Sequence, residues 1–282
     1  MKLRSITARA AVAGATTALI AGGLVAATGT AADAADASGD YTCAVPVLGD
    51  LTFPLSVSVP VPPTAPAGYQ APAGLLTYTS AVTVPASAAS LLGDFGVNGG
   101  TIDDFTMNLG STVVPAPGTY TAGAPGEDGS VVMAGNGAND AFSLPKAGSY
   151  AVTLPSSFTF SPTLSGVPLD LGGGPVTVAC TTDAPATIGS VTLTKQVSTT
   201  TGAVKRIRTG YKVTATVTND GYTVPTGKVV AKVGTKSFKQ TLNSKGKALF
   251  KFRKSFKGKK AVLVYKGDGY TQGSKSKTFR IR

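Results

Sequence analysis

The chain of 282 residues has no histidine, no tryptophan and only two cysteines. Without imidazole, catalytic schemes that use histidine as a general base, and zinc sites that use it as a ligand, are excluded. The two cysteines, Cys43 and Cys180, are too few for a cysteine-rich metal site. In an exported chain they most simply pair as one disulfide. Closing so long a loop is worth about 4–5 kcal/mol in the chain-entropy model. Each half of the chain is also short of one sign of charge. From Ser38 to Ala184, ten acidic residues face a single base, Lys146; from Pro185 to Arg282, only Asp220 and Asp268 stand against twenty-two Lys and Arg. Long hydrophobic runs are missing after the first thirty or so residues, as are an LPxTG-like sorting signal near Arg282 and a cysteine at lipoprotein spacing.

What is present begins with MKLRSITAR, three positive charges and no negative one, followed by an uncharged Ala/Gly/Val/Leu/Ile-rich run from Ala10 to Ala32. Cleavage patterns of the A-x-A kind follow at Ala32-Asp33-Ala34 and Ala35-Asp36-Ala37. This is the layout of a secretory signal peptide over residues 1–37. The run is long enough for a membrane anchor but weakly apolar beside a spanning helix. The mature protein is therefore expected to be secreted, extracellular or cell-wall associated, without stable membrane insertion. The charge changes sign just after Cys180, in TTDAPATIGS, so two domains are expected, residues 38–183 and 184–282.

The acidic half carries short alternating runs bounded by Gly and Pro: FPLSVSVPV, LLTYTSAVTV, DDFTMNLG, GSVVMAG, SYAVTLP, SFTFSP and PVTVAC. Period two between turn residues is the strand signal. An all-β, disulfide-stapled β-sandwich follows, with ASAASLL after Pro85 as its one short helix. The run VPPTAPAGYQAPAG reads as a loop within that domain rather than a linker, because strands resume on both sides. In the basic half, strands are expected at Val191 and Leu193, at Tyr211–Val217, and in KVVAKV, SFKQTL, KALFKFR, AVLVY and KTFRIR. Seven short strands in this length suggest an immunoglobulin-like sandwich.

Further residues carry a resemblance. Pro225-Thr226-Gly227-Lys228-Val229, Gly234, Gly246-Lys247-Ala248, Tyr265-Lys266-Gly267-Asp268-Gly269-Tyr270 and Ser274-Lys275-Ser276 follow one another in that order. From Ile188 to Arg282 the chain resembles the bacterial Ig-like domain of the group-three type. The resemblance implies a seven-stranded module of secreted and surface proteins, used as spacer, stalk or adhesive unit, with no catalytic residues. The acidic half, opening with Tyr41-Thr42-Cys43 and closing with Cys180, is similar to an uncharacterised domain of exported proteins of high-GC Gram-positive bacteria.

The stretch KALFKFRKSFKGKK, Lys247 to Lys260, interleaves phenylalanine with cations. Strand side chains alternate between faces, so Ala248, Phe250 and Phe252 are expected inward and Lys247, Leu249, Lys251 and Arg253 outward. Inward rings cannot serve as a base-stacking platform. So many unopposed positive charges repel one another unless a polyanion neutralises them. A polyanion-binding surface is therefore expected at Lys247, Lys251, Arg253, Lys254, Lys257, Lys259 and Lys260, sequence-independent and salt-sensitive. Anionic cell-wall polymers such as teichoic acids come first as partners, then capsule or extracellular DNA, then the chain's own acidic domain by docking.

Catalytic signals are thin. Ser244-Lys-Gly-Lys247 and Ser274-Lys-Ser-Lys277 match S-x-x-K but lack the companion elements of that nucleophile motif. Asp103-Asp104 and Glu127-Asp128 are adjacent carboxylates that a glycosidase could use, yet IDDF reads as a strand start and GAPGEDGS as a turn. Asp220-Gly221 and Asp268-Gly269 read as turns rather than Ca²⁺ loops. The expectation is a non-enzymatic protein without cofactor or metal, whose basic module presents the acidic domain at the cell envelope. The alternatives are a structural spacer or adhesin-like surface protein, and a hydrolase or ligand binder with its site in residues 38–183.

Overall fold

A computed structural model describes residues 34–282. The expected leader, residues 1–37, lies outside the described residues apart from Ala34–Ala37, which open the first strand. The described chain is nearly all β, with one short helix at Ala86–Asp94, where ASAASLL follows Pro85.

Eight strands of the acidic half form a ring. In hydrogen-bonded order they are Ala34–Val45, Gly49–Pro60, Thr77–Val84, Val131–Ala138, Gly118–Pro125, Gly99–Ile102, Ser157–Leu164 and Val178–Thr181, which returns to the first. Every pair is antiparallel. The expected sandwich thus takes the form of a main sheet closed on itself, which leaves no free edge along the ring. Period-two alternation sends Tyr41, Cys43, Leu55, Val57, Tyr78 and Met133 into the interior, all nearly inaccessible. Closure depends on Gly99 and Gly100. A Cβ at Gly99 would lie 2.7 Å from the Tyr120 carbonyl oxygen, and one at Gly100 would run into the Phe160 ring.

A second sheet shares this core. Its order is Thr64–Pro66, Thr187–Thr194, Gly148–Thr153, Thr106–Leu109 and Thr112–Pro115. It contributes Met107, Leu109, Val114, Val152, Ile188, Val191 and Leu193. This corrects one expectation: the strand carrying Val191 and Leu193 does not open the basic half. It pairs parallel to Thr64–Pro66 and antiparallel to Gly148–Thr153, and buries its apolar side in the first core. The proline-rich run Val61–Gly74 is part of the same body, since Thr64–Pro66 and Gln70–Ala71 are both paired and Ala67 is fully buried.

The basic half is a two-sheet sandwich. Thr199–Ile207, Gly210–Thr218 and Lys247–Arg253 form one sheet. Lys236–Thr241, Lys228–Val233 and Lys260–Tyr265 form the other, with Ser274–Lys275 and Phe279–Arg280 as two pieces of an interrupted edge. Val213, Ala215, Phe250 and Phe252 meet Val229, Ala231, Leu263 and Tyr265 between them. Seven strands are recovered if the interrupted edge counts once, with Thr199–Ile207 standing where the Val191–Leu193 strand was expected.

The two halves join at Gln196, which is 2 % exposed. Its Nε2 donates to the Ala67 carbonyl at 2.9 Å and to Thr223 Oγ1 at 3.0 Å, and its Oε1 accepts from the Tyr222 N–H. Its backbone N–H donates to the Tyr270 carbonyl, and its carbonyl accepts from the Gln272 N–H. Tyr69 and Tyr222 pack edge to face beside it, and the Ala147 N–H donates to the Gly269 carbonyl.

Cys43 and Cys180 are directly opposite each other on adjacent ring strands, Cα atoms 4.0 Å apart, and are disulfide-bonded across a separation of 137 residues. Replacing both by serine is expected to lower stability in urea denaturation by about 2–5 kcal/mol. The interior tyrosines give a pH signature. Burial pushes the Tyr41 hydroxyl, which donates to the Pro155 carbonyl at 2.7 Å, up to about 12. Burial, and secondarily Tyr120, also raises Tyr78, which donates to the Ala116 carbonyl. An unfolded tyrosine ionises near pH ~10. The stability these groups contribute is therefore fully present below that pH and is lost as pH rises through it toward the folded values. The urea midpoint should stay flat from about pH 7 to 9 and fall above about pH 10. Tyr41→Phe should cost about 1 kcal/mol at neutral pH by leaving the Pro155 carbonyl without its donor.

Candidate functional site

The Lys247–Arg253 strand alternates as its sequence requires: Ala248, Phe250 and Phe252 are buried, while Lys247, Leu249, Lys251 and Arg253 are exposed. The rings serve packing. Phe252 lies 5.1 Å from Phe238 and 5.3 Å from Phe256, centroid to centroid, closing one end of the sandwich. The cations belong to a larger surface than the stretch itself.

Strand register shows why. Lys251 is opposite Lys212, and Lys212 is opposite Lys205, so three lysines form a row straight across the three-stranded sheet. No Asp or Glu occurs in any of the three strands. Adjacent strands lie about 4.8 Å apart, and like charges directly opposite one another destabilise a sheet by about 0.2–1 kcal/mol per pair. Arg253 continues the surface from its position opposite Gly210. Gly210 is required there, because its φ of +152° places any Cβ 2.0 Å from the Phe252 carbonyl oxygen.

Beyond the strand, Lys254–Phe256 form a 3₁₀ turn, and Lys257, Lys259 and Lys260 follow it into the next strand. The Lys259 ammonium sits 5.2 Å from the centre of the Phe256 ring, a cation–π contact. The Arg280 guanidinium donates to the Gly258 carbonyl at 3.0 Å and adds a further cation to this end. Of the seven cations expected from sequence, Lys251, Arg253, Lys254, Lys257, Lys259 and Lys260 are gathered toward one end of the sandwich. Lys247 is set apart from them: it starts the strand, about 20 Å from Arg253 at 3.3–3.4 Å per residue. Sequence reasoning missed Lys205 and Lys212. The signal was available in KRIRTGYK, a hairpin whose Arg208-Thr209 turn puts Lys205 and Lys212 side by side.

The two acids of the basic half are both used in turns at the opposite end, beside the junction. Asp220 accepts from the Val197 N–H. Asp268 accepts from the N–H and hydroxyl of Thr226 and from the N–H groups of Tyr270 and Thr271. Burial opposes its ionisation, but these hydrogen bonds outweigh burial and hold the carboxyl below the usual range. The Tyr265-to-Tyr270 motif is thus a turn-forming device. Gly267, at φ +84°, lies where a Cβ would meet the Thr271 carbonyl oxygen at 2.7 Å.

The S-x-x-K matches lie in hydrogen-bonded segments of the sandwich. In the first, the Asn243 carboxamide caps the turn by accepting from the N–H groups of Lys245 and Lys247. In the second, Ser274 Oγ is engaged by Ser198 and Thr200. Asp104 accepts from the Thr159 N–H and Asp128 from Ser130, so one acid of each adjacent pair is held by a hydrogen bond to the fold. Among the described residues no cluster of three Asp, Glu or Cys could hold a metal ion. The ring interior holds an apolar cavity of about 40 Å³. An open groove of about 850 Å³ on its outer surface has Asp103 as its one carboxylate.

Residues 40–189 match the model of a family of unknown function, DUF6801. The chain belongs to this family. No curated protein matches it. The DUF6801 match runs from Asp40, inside the first ring strand, to Gly189, inside the strand Thr187–Thr194, and so takes in both cysteines and nearly all of the first core. The lysine row lies wholly outside it.

Lys212→Glu would turn both repulsions in the row into attractions. It should stabilise the basic half by about 1 kcal/mol at low salt. The gain, read by thermal unfolding, should shrink as salt screens it.

Proposed function

We propose that this is an exported, non-catalytic protein of the cell envelope whose basic sandwich binds anionic polymers and holds the DUF6801 ring against them. The observation that carries the reading is the acid-free row Lys205–Lys212–Lys251 with Arg253 beside it. A sheet that only needed solubility would mix signs across opposed positions. Here repulsion is retained, and an external polyanion relieves it. The polymer class is a poly-phosphodiester or polycarboxylate of the wall, with extracellular nucleic acid as a sequence-independent competitor.

Export is supported by the signal-like N-terminus and by the disulfide, which suits an oxidising compartment. No helix among the described residues is long and apolar enough to cross a membrane. The spacer reading calls for charge of both signs spread around the module, whereas the two acids both sit at the junction and the three-stranded sheet has none. A polar-substrate hydrolase in the ring calls for converging carboxylates, and the interior cavity has none in its lining.

The test is co-sedimentation of the full mature chain with purified Gram-positive walls across a salt series. A fragment cut at residue 184 is unsuitable, because it would take the strand Thr187–Thr194 away from the ring. Binding should weaken steeply with salt. Changing Lys205, Lys212, Lys251 and Arg253 together to Gln should lower the log–log salt slope by about 3–4 while circular dichroism stays unchanged. An unchanged slope in that variant would remove the surface from the proposal. Lys212→Glu should bind more weakly while being more stable, a combination that damage to the fold cannot produce.

A further inference from the structure

The ring has two unlike ends. At one end lie the turn after Val45, the helix Ala86–Asp94, the loop from Phe95 to Asn98 and the hairpin joining Leu164 to Val167. Directly beneath the helix is the interior cavity of about 40 Å³. Val84, Ala88 and Leu92 line it from the helix side, and Met133, Phe160 and Cys180 from the ring. Every lining residue is apolar or a disulfide cysteine. A wall without polar partners leaves such a space dry.

Three independent features mark this end. First, large apolar side chains stand in solvent around the helix: Val47 is 94 % exposed, Val167 65 %, Leu164 45 % and Phe95 41 %. Second, the two non-glycine residues with positive φ among the described residues are both here, Val47 at +73° and Ser165 at +51°. A β-branched residue in the left-handed region is strained, and Val47 has almost no packing to offset it. Third, the helix is lightly held. Only Ala88 and Ala89 are buried, its N-terminus at Pro85 has no side-chain cap, and Gly96 follows it at φ +69°. Few buried apolar contacts make a segment cheap to displace.

We propose that this end of the ring is a binding site for one aliphatic chain whose head group carries no negative charge. The helix swings aside, the chain end enters between Met133, Phe160 and Cys180, and Phe95, Leu164 and Val167 cover the emerging methylenes. The head-group class follows from the charges in the loops of this end. Asp50, Asp94, Glu127, Asp128 and Asp170 all lie in or beside those loops, and the one base of the acidic half, Lys146, packs its side chain against Gly269 at the junction instead. A carboxylate head would meet like charge, whereas a glycerol head would not.

The test titrates the full mature chain with 1-monolauroylglycerol below its aggregation threshold, and in parallel with laurate. The readout is the methionine methyl NMR signals, with Met107 of the second sheet as internal control. Saturable movement of the Met133 methyl, with Met107 still, is the expected result. Laurate should bind at least about tenfold more weakly. Ala88→Leu, which puts extra carbons into the cavity, should abolish the Met133 response and leave wall co-sedimentation unchanged. If that variant does not fold, Phe95→Trp gives a second readout, since the chain has no other tryptophan. Its emission should shift to the blue with the glycerol ester and stay put with laurate. No saturable Met133 response, or one that persists in folded Ala88→Leu, overturns the site. Equal affinity for laurate overturns the head-group assignment.

Discussion

The arrangement of the two described halves depends on one buried carboxamide. Gln196 comes two residues after the last strand of the first core and three before the first strand of the second. Its side chain reaches back to Ala67 and forward to Tyr222 and Thr223, while its backbone is held by Tyr270 and Gln272. The joined bodies carry opposite net charge, which invites an ionic seam. Burying an ion pair costs much of what its attraction returns, and salt would loosen any pair left exposed. A neutral amide residue with one partner in the ring body, Ala67, and four in the basic half, Tyr222, Thr223, Tyr270 and Gln272, avoids both problems. The orientation of the cationic face relative to the ring is therefore set by groups that salt and ordinary pH do not alter.

With the seam neutral, the charges are free to be disposed for the outside. Lys251, Arg253, Lys254, Lys257, Lys259 and Lys260 lie toward the end of the sandwich remote from Asp220 and Asp268, and the row Lys205–Lys212–Lys251 carries no opposing acid. The Phe238, Phe252 and Phe256 cluster beneath this end supplies the packing that resists the repulsion above it. The aromatic and cationic letters of KALFKFRKSFKGKK thus belong to one device: rings hold the sheet together so that charges can crowd its outer face.

Much of this was legible beforehand. Period two placed Phe250 and Phe252 inside and Lys251 and Arg253 outside, the helix followed Pro85, and Cys43 pairs with Cys180. Three things were not legible, each for a physical reason. Val191 and Leu193 announce a strand, but alternation says nothing about which sheet receives it; that was decided by the backbone groups of Thr64–Pro66 and Gly148–Thr153. The strand Thr199–Ile207 was overlooked because its inward positions include Thr200, Gly202 and Val204, too small or polar to give a clear apolar stripe, and with it went Lys205. Closure of the ring was hidden in Gly99-Gly100-Thr101-Ile102, where glycines that look like a turn are a strand with rings pressed against it.

The closed ring also dictates an order of assembly. The strand Ala34–Val45 finds one neighbour at once, Gly49–Pro60, through a short turn. Its other edge is completed only by Val178–Thr181, so along that edge it offers unpaired N–H and C=O groups until more than a hundred further residues have been delivered. Such an edge is a template for pairing with another chain, and contacts this distant in sequence form slowly. The interval between the first strand's arrival and the last is when the protein is most exposed to joining the wrong neighbour. The disulfide across that same seam can form only after the interval has ended, and so it locks in a correct closure without guiding the chain toward it.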